Sequence, residues 1–118
     1  MRRLVVGVVG CLGVDKRAAR KFALGYCKEL PEGVRLVTIR QDVLGRAVRL
    51  RAKSLDIRRK TVSTESHEPY ADWSAMTVAT LIWKCTEVLV LHDGSSGFSR
   101  EAIDICTRMR KPMKIVNV

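Results

Sequence analysis

The sequence predicts an α/β domain of Rossmann-like type: a single three-layer unit with a five-stranded, mainly parallel sheet and helices on both faces. Three observations carry this expectation. Short apolar runs alternate with amphipathic stretches from end to end, the connections between them are brief, and 118 residues are enough for one core and not two. Strand–helix–strand alternation of this kind implies parallel pairing with right-handed crossovers. Ligands of such sheets bind beyond the carboxyl ends of the strands, where the strand order reverses.

Each element has its own signal. Arg3 to Gly10 (RLVVGVVG) is a continuous apolar run, as a strand covered on both faces requires. Asp15 can cap a helix reaching about Leu30, in which Ala19, Ala23, Cys27 and Leu30 form one apolar stripe and Arg17, Arg20, Lys21 and Lys28 the outer face. Pro31-Glu32-Gly33 stops it, and Val34 to Ile39 is the second strand. Asp42 can cap the next helix, where Val43, Ala47, Val48 and Leu55 recur at helical spacing among arginines. A short third strand, Arg58 to Ser63, is followed by a polar loop from Glu65 to Asp72. A helix from Trp73 to Lys84 carries a single charge, which predicts burial on more than one side and makes it the expected surface of a homodimer. Glu87 to His92 is the fourth strand, and Ser99 or a neighbour caps a fourth helix to about Arg110 with Ala102, Ile103, Cys106 and Met109 facing in. Lys111-Pro112 ends that helix and Met113 to Val118 is the last strand.

Composition excludes several classes. The longest apolar runs are strand-sized, so no membrane span is expected, and the basic start lacks the pattern of a secretory signal. A cytoplasmic protein is the simplest expectation. Cys11, Cys27, Cys85 and Cys106 show no metal-ligand spacing; the last three fall in or beside helices, where a free thiol packs as a small hydrophobe. His67 and His92 lack the companion ligands of a metal site, so neither metal nor cofactor is expected. One asparagine, one glutamine and 14 arginines against 8 lysines form a thermophile-like bias. The formal net charge of +10 points to a polyanionic partner or a phosphate-bearing ligand.

Two loops are suited to hold such a ligand. Gly10-Cys11-Leu12-Gly13 follows the first strand, and Asp93-Gly94-Ser95-Ser96-Gly97, with Ser99 just beyond, follows the fourth. Both open helices, so glycine amides and the positive end of a helix converge on one place. Arg40, after the second strand, is a candidate phosphate partner. The glycine spacing is neither the dinucleotide fingerprint nor a P-loop, and a Ser-His-Asp triad lacks its elbow sequence.

With these loops placed, the chain resembles the SLOG superfamily of Rossmann-like domains, related to DNA-processing protein A and to lonely-guy-type phosphoribohydrolases. It is most similar to the small YspA/YpsA-like members. The likeness is strongest in EVLVLHDGSSGFSREAIDICTRMRKPMKIVNV, Glu87 to Val118, with support from Asp42 and from Ala71-Asp72-Trp73. The resemblance implies a nucleotide, a nucleotide-derived ligand or nucleic acid, and carries over onto Gly10, Asp93, Gly94, Ser96 and Gly97. The PGGxGTxxE signature of the phosphoribohydrolases is absent, and Glu101 stands one residue out of its register.

Three functions follow as expectations. The first is non-catalytic binding or sensing of a nucleotide-like small molecule through the two loops. The second is nucleic-acid binding by a basic helical surface of Arg46, Arg49, Arg51 and Lys53 with the following Arg58, Arg59 and Lys60. Aromatics are only 5% of the chain, which argues against recognition of single strands by base stacking. The third is hydrolysis of a nucleoside or nucleotide N-glycosidic bond, with Asp93 and Glu101 as the candidate carboxylates.

Overall fold

The computed structural model describes residues 3–11, 14–63, 73–94 and 97–118, together with the backbone but not the side chains of 73 and 74. Their chain order is β1 (Val5–Val9), α1 (Lys16–Lys28), β2 (Arg35–Ile39), α2 (Val43–Ser54), β3 (Arg58–Val62), α3 (Trp73–Lys84), β4 (Glu87–His92), α4 (Phe98–Met109) and β5 (Met113–Asn117). All four strand pairings are parallel, in the order β3-β2-β1-β4-β5. The chain is therefore a Rossmann-like α/β domain, with the strand order reversing between β1 and β4. No helix among the described residues is long and apolar enough to cross a membrane.

The pleat divides the core in two. Val6, Val8, Leu36, Leu89 and Leu91 point to the face covered by α1 and α2, where they meet Ala19, Ala23, Cys27, Leu44 and Val48. Val9, Val37, Ile39, Val88 and Val90 point the other way, onto Val78, Leu81 and Ile82 of α3 and Ala102, Ile105 and Cys106 of α4. Alternate residues of the three central strands thus feed opposite layers, which is why those strands read as unbroken apolar runs. All four cysteines are free and buried. Burial pushes the thiols of Cys27 and Cys106 up, and that of Cys85 to about 12, with Lys111 opposing the shift of Cys85 and Cys106 adding to it.

Helix starts and faces differ from expectation in four places. Asp15 caps α1 as its sequence position suggests, accepting from Ala18 N at 2.8 Å. Asp42 holds the N-cap position of α2, but its well-formed hydrogen bond is to β1, with the Leu44 and Gly45 amides near enough to act on its charge without closing a full capping bond. Gly97, not Ser99, is the N-cap of α4: at φ 116° and ψ −153° its backbone lies where only glycine is comfortable. Ile105 rather than Met109 lies in the core, since Met109 belongs to the last turn of α4, beside Thr86 and Pro112 at the amino edge of the sheet. Finally, α3 buries a single face (Thr77, Val78, Leu81, Ile82), and Met76 and Trp83 stand outward with Trp83 79% exposed. Within one chain, then, the scarcity of charge on α3 does not mean burial on more than one side.

The two edge strands are unlike the central three. In β3 the residues Arg58, Arg59, Lys60 and Thr61 are exposed and only Val62 is buried. Cations along an unpaired edge hinder edge-to-edge association with other chains.

Candidate functional site

At the carboxyl edge of the sheet, Gly10 follows the end of β1, Arg40 that of β2, and Asp93 follows His92 at the end of β4. The first two ends are tied together by a buried contact that sequence reasoning did not foresee. Asp42 Oδ2 accepts the Gly10 amide proton at 2.8 Å across the β1–β2 gap. Gly10 must lack a side chain here: a Cβ would stand 2.6 Å from Leu44 Cβ and 3.0 Å from Asp42 Oδ1. Burial raises the pKa of Asp42, opposed by the amides of Gly10, Gly45 and Leu44 and by the Arg49 guanidinium. The position of Asp42 before a helix reads as a cap, and nothing in the local sequence signals a partner 32 residues away.

Arg49 completes this brace. Its Nη1 donates to Thr38 Oγ1 and to the Ile39 carbonyl, both at 2.9 Å, and Nη2 to the Arg40 carbonyl at 3.3 Å. Half-buried and committed to the end of β2, Arg49 is a structural residue and not the free phosphate contact expected of it. Desolvation, with Arg46 and Arg40 nearby, pushes its pKa down, and Asp42 opposes that shift.

Beside the brace lies a pocket of about 270 Å³ between the amino-terminal turns of α1 and α2. Lys16 and Arg20 of α1, Arg40 of the β2–α2 turn and Arg46 of α2 surround it, and among the described residues Asp42 is its one carboxylate. All four cations are exposed, with Val43, Ala47 and Leu50 as the apolar part of the wall. Two residues that sequence reasoning assigned to separate functions, Arg40 and Arg46, meet here. Lys16 and Arg20 were read only as solvated positions of a helix, because their convergence with α2 depends on how the two helices pack.

The two flanks of the second expected loop are joined by a buried contact. His92 Nδ1 and Ser99 Oγ are 2.8 Å apart and buried, linking the end of β4 to the first turn of α4. Ser99 is fully buried, with its hydroxyl engaged by His92 and not presented as a ligand contact. Asp93 and Gly94 are exposed above, Gly94 with φ 86°. Cys11 is buried in the α1/α2 core, and its carbonyl accepts from Val14 N at 3.3 Å. Gly13, Ser95, Ser96, His67 and the loop 65–72 lie outside the described residues. Glu101 occupies the first turn of α4, where a carboxylate suits the helix dipole.

The basic residues expected to form one nucleic-acid surface are dispersed. Arg46 joins the carboxyl-edge pocket and Arg49 the brace. Arg51 is half-buried, close enough to Cys27 of α1 to act on its thiol, and Lys53 is exposed. Arg58, Arg59 and Lys60 lie on the β3 edge. Among the described residues, no group of three or more His, Cys, Asp or Glu side chains is placed to hold a metal ion.

These features define a Rossmann-like domain with a cation-lined pocket at its carboxyl edge. No protein-family model matches the sequence, and no curated protein matches it.

Proposed function

We propose that this chain is a non-catalytic binding or sensing domain for a nucleotide or nucleotide-derived ligand, taken up at the carboxyl edge of the sheet. The observation that supports this most is the pocket walled by Lys16, Arg20, Arg40 and Arg46. Four cations around about 270 Å³, against one buried carboxylate already engaged by Gly10, match the charge of a di- or polyphosphate group. Asp42, part of the pocket lining, accepts from the Gly10 amide, so a ligand whose phosphates sit among the cations lies beside the end of β1. Such a role asks for binding only, whereas glycosidic hydrolysis would ask Asp93 or Glu101 for acid–base work as well.

Thermal denaturation with nucleotides, cyclic nucleotides and ADP-ribose derivatives tests this reading. A ligand present at about 100 times its Kd stabilises the fold by about 2.7 kcal/mol. The stabilisation is expected to vanish in Arg40→Glu/Arg46→Glu and to weaken in Asp93→Ala. A shift of equal size in all of these variants would remove the pocket from consideration.

A further inference from the structure

A second concentration of positive charge lies on the opposite side of the molecule. Helix α3 ends at Lys84, at the amino edge of the sheet, and leaves a groove of about 700 Å³ between itself and the β3 edge. Arg35, Arg58, Arg59, Lys60 and Lys84 line it over an apolar base that includes Val5 and Val37. Among the described residues, no carboxylate lines it.

Strand register explains the concentration. Arg35 pairs with Arg58, and Val37 with Lys60. Val37 and Val62 face α3, and with side chains alternating along a strand, Arg35, Arg58 and Lys60 share that face. Like charges directly opposite each other in a sheet are destabilising. Here Arg3 and Arg58 together push the pKa of Arg35 down, and the Arg35 Nε is buried without a hydrogen-bond partner. Protection of an exposed edge accounts for cations on β3. It accounts neither for Arg35, on the inner strand β2, nor for Lys84, on the opposing helix.

We propose that this groove receives the phosphodiester backbone of duplex nucleic acid, with Arg35, Arg58, Lys60 and Lys84 as the phosphate contacts. Shape and chemistry select that partner. Same-face positions on β3 are spaced about 6.6 Å apart, a step close to that between neighbouring phosphates of one strand. Cations ranged along one strand edge and faced by Lys84 across the groove suit a ridge of phosphates better than a flat lipid surface. Among the described residues, no aromatic side chain lines the groove, and these offer no stacking platform of the kind that binding of single strands uses. Contacts of this kind are independent of base sequence and steeply dependent on salt.

The test is fluorescence anisotropy of the full chain with a labelled short duplex, the matching single strand and anionic phospholipid vesicles. Arg58→Glu/Lys60→Glu changes exposed edge positions, and Lys84→Glu gives an independent variant on the helix wall. Arg17→Glu/Lys21→Glu, on the outer face of α1, makes the same change in total charge as the β3 double variant. The β3 variant is expected to lose more than about tenfold in duplex affinity at about 50 mM salt, and its log–log salt slope to become shallower by about 0.9 for each phosphate no longer neutralised. Lys84→Glu should reproduce part of that loss, the α1 control should retain most of the affinity, and Arg40→Glu/Arg46→Glu should bind duplex normally, which separates this inference from the nucleotide reading. Equal loss in the α1 control, tighter binding of the single strand or of vesicles, or no duplex binding by the unaltered chain would each overturn it.

Discussion

Burial holds the Asp42 carboxyl above its ordinary range, yet the Gly10 amide is bonded to it, so the group carries both a desolvation cost and a structural role. The consequence for pH has a definite sign. An acid with a raised pKa in the folded state binds its proton more tightly there than in the unfolded chain. Its share of stability is fully present below the unfolded value of about 3.9 and is lost as pH rises through the folded value. Asp42→Asn keeps an oxygen acceptor for Gly10 and removes the titration. Urea denaturation of both proteins at several pH values should show the unaltered chain at its best relative to the variant in acid, declining relative to it toward neutrality. Parallel curves would mean that Asp42 titrates in its ordinary range. Neither this brace nor the buried His92–Ser99 pair was legible in the sequence, since each joins residues whose local context supports a simpler role: a helix cap for Asp42 and Ser99, a strand end for His92.

At the scale of elements, apolar patterning located all nine described strands and helices to within a few residues: the central strands, covered on both faces, as unbroken apolar runs, and the helices by burial that repeats about every 3.6 residues. What they did not convey was the occupation of polar positions. Arg49 and Arg46 are both arginines on α2, yet one is bound to the end of β2 and the other lines the pocket. The difference arises from their angular positions relative to the sheet. Arg49→Ala removes three hydrogen bonds between α2 and the end of β2, and a loss of about 1–3 kcal/mol is expected from chemical denaturation. Arg46→Ala, on the exposed side of the same helix, should fall within about 0.5 kcal/mol of the unaltered chain. Similar effects from the two would show that the brace contributes little.

Over the whole molecule, 9 of the 22 cations line two sites at opposite edges of the sheet. The carboxyl-edge pocket is about 270 Å³ and the amino-edge groove about 700 Å³. Bringing so many like charges together in the folded state opposes compaction, and salt relieves that opposition. Raising the salt concentration from about 0.01 to 0.15 M shortens the screening length from about 30 to 8 Å. The melting temperature is therefore expected to rise over that range. A fall would mean that attractive pairs outweigh the repulsion among Arg3, Arg35 and Arg58.

The sequence by itself determined the fold class, the order of the elements and the carboxyl-edge loops as places to look, because periodicity, capping residues and chain connectivity are local properties. It also set the net charge. Only the tertiary structure decided which cations converge. Lys16 and Arg20 meet Arg40 and Arg46 through the packing of α1 against α2, and Arg35 meets Arg58 and Lys60 through the β2–β3 register. Both are contacts between residues distant along the chain, fixed by how the layers bury their apolar faces and not by any signal in the residues around each cation.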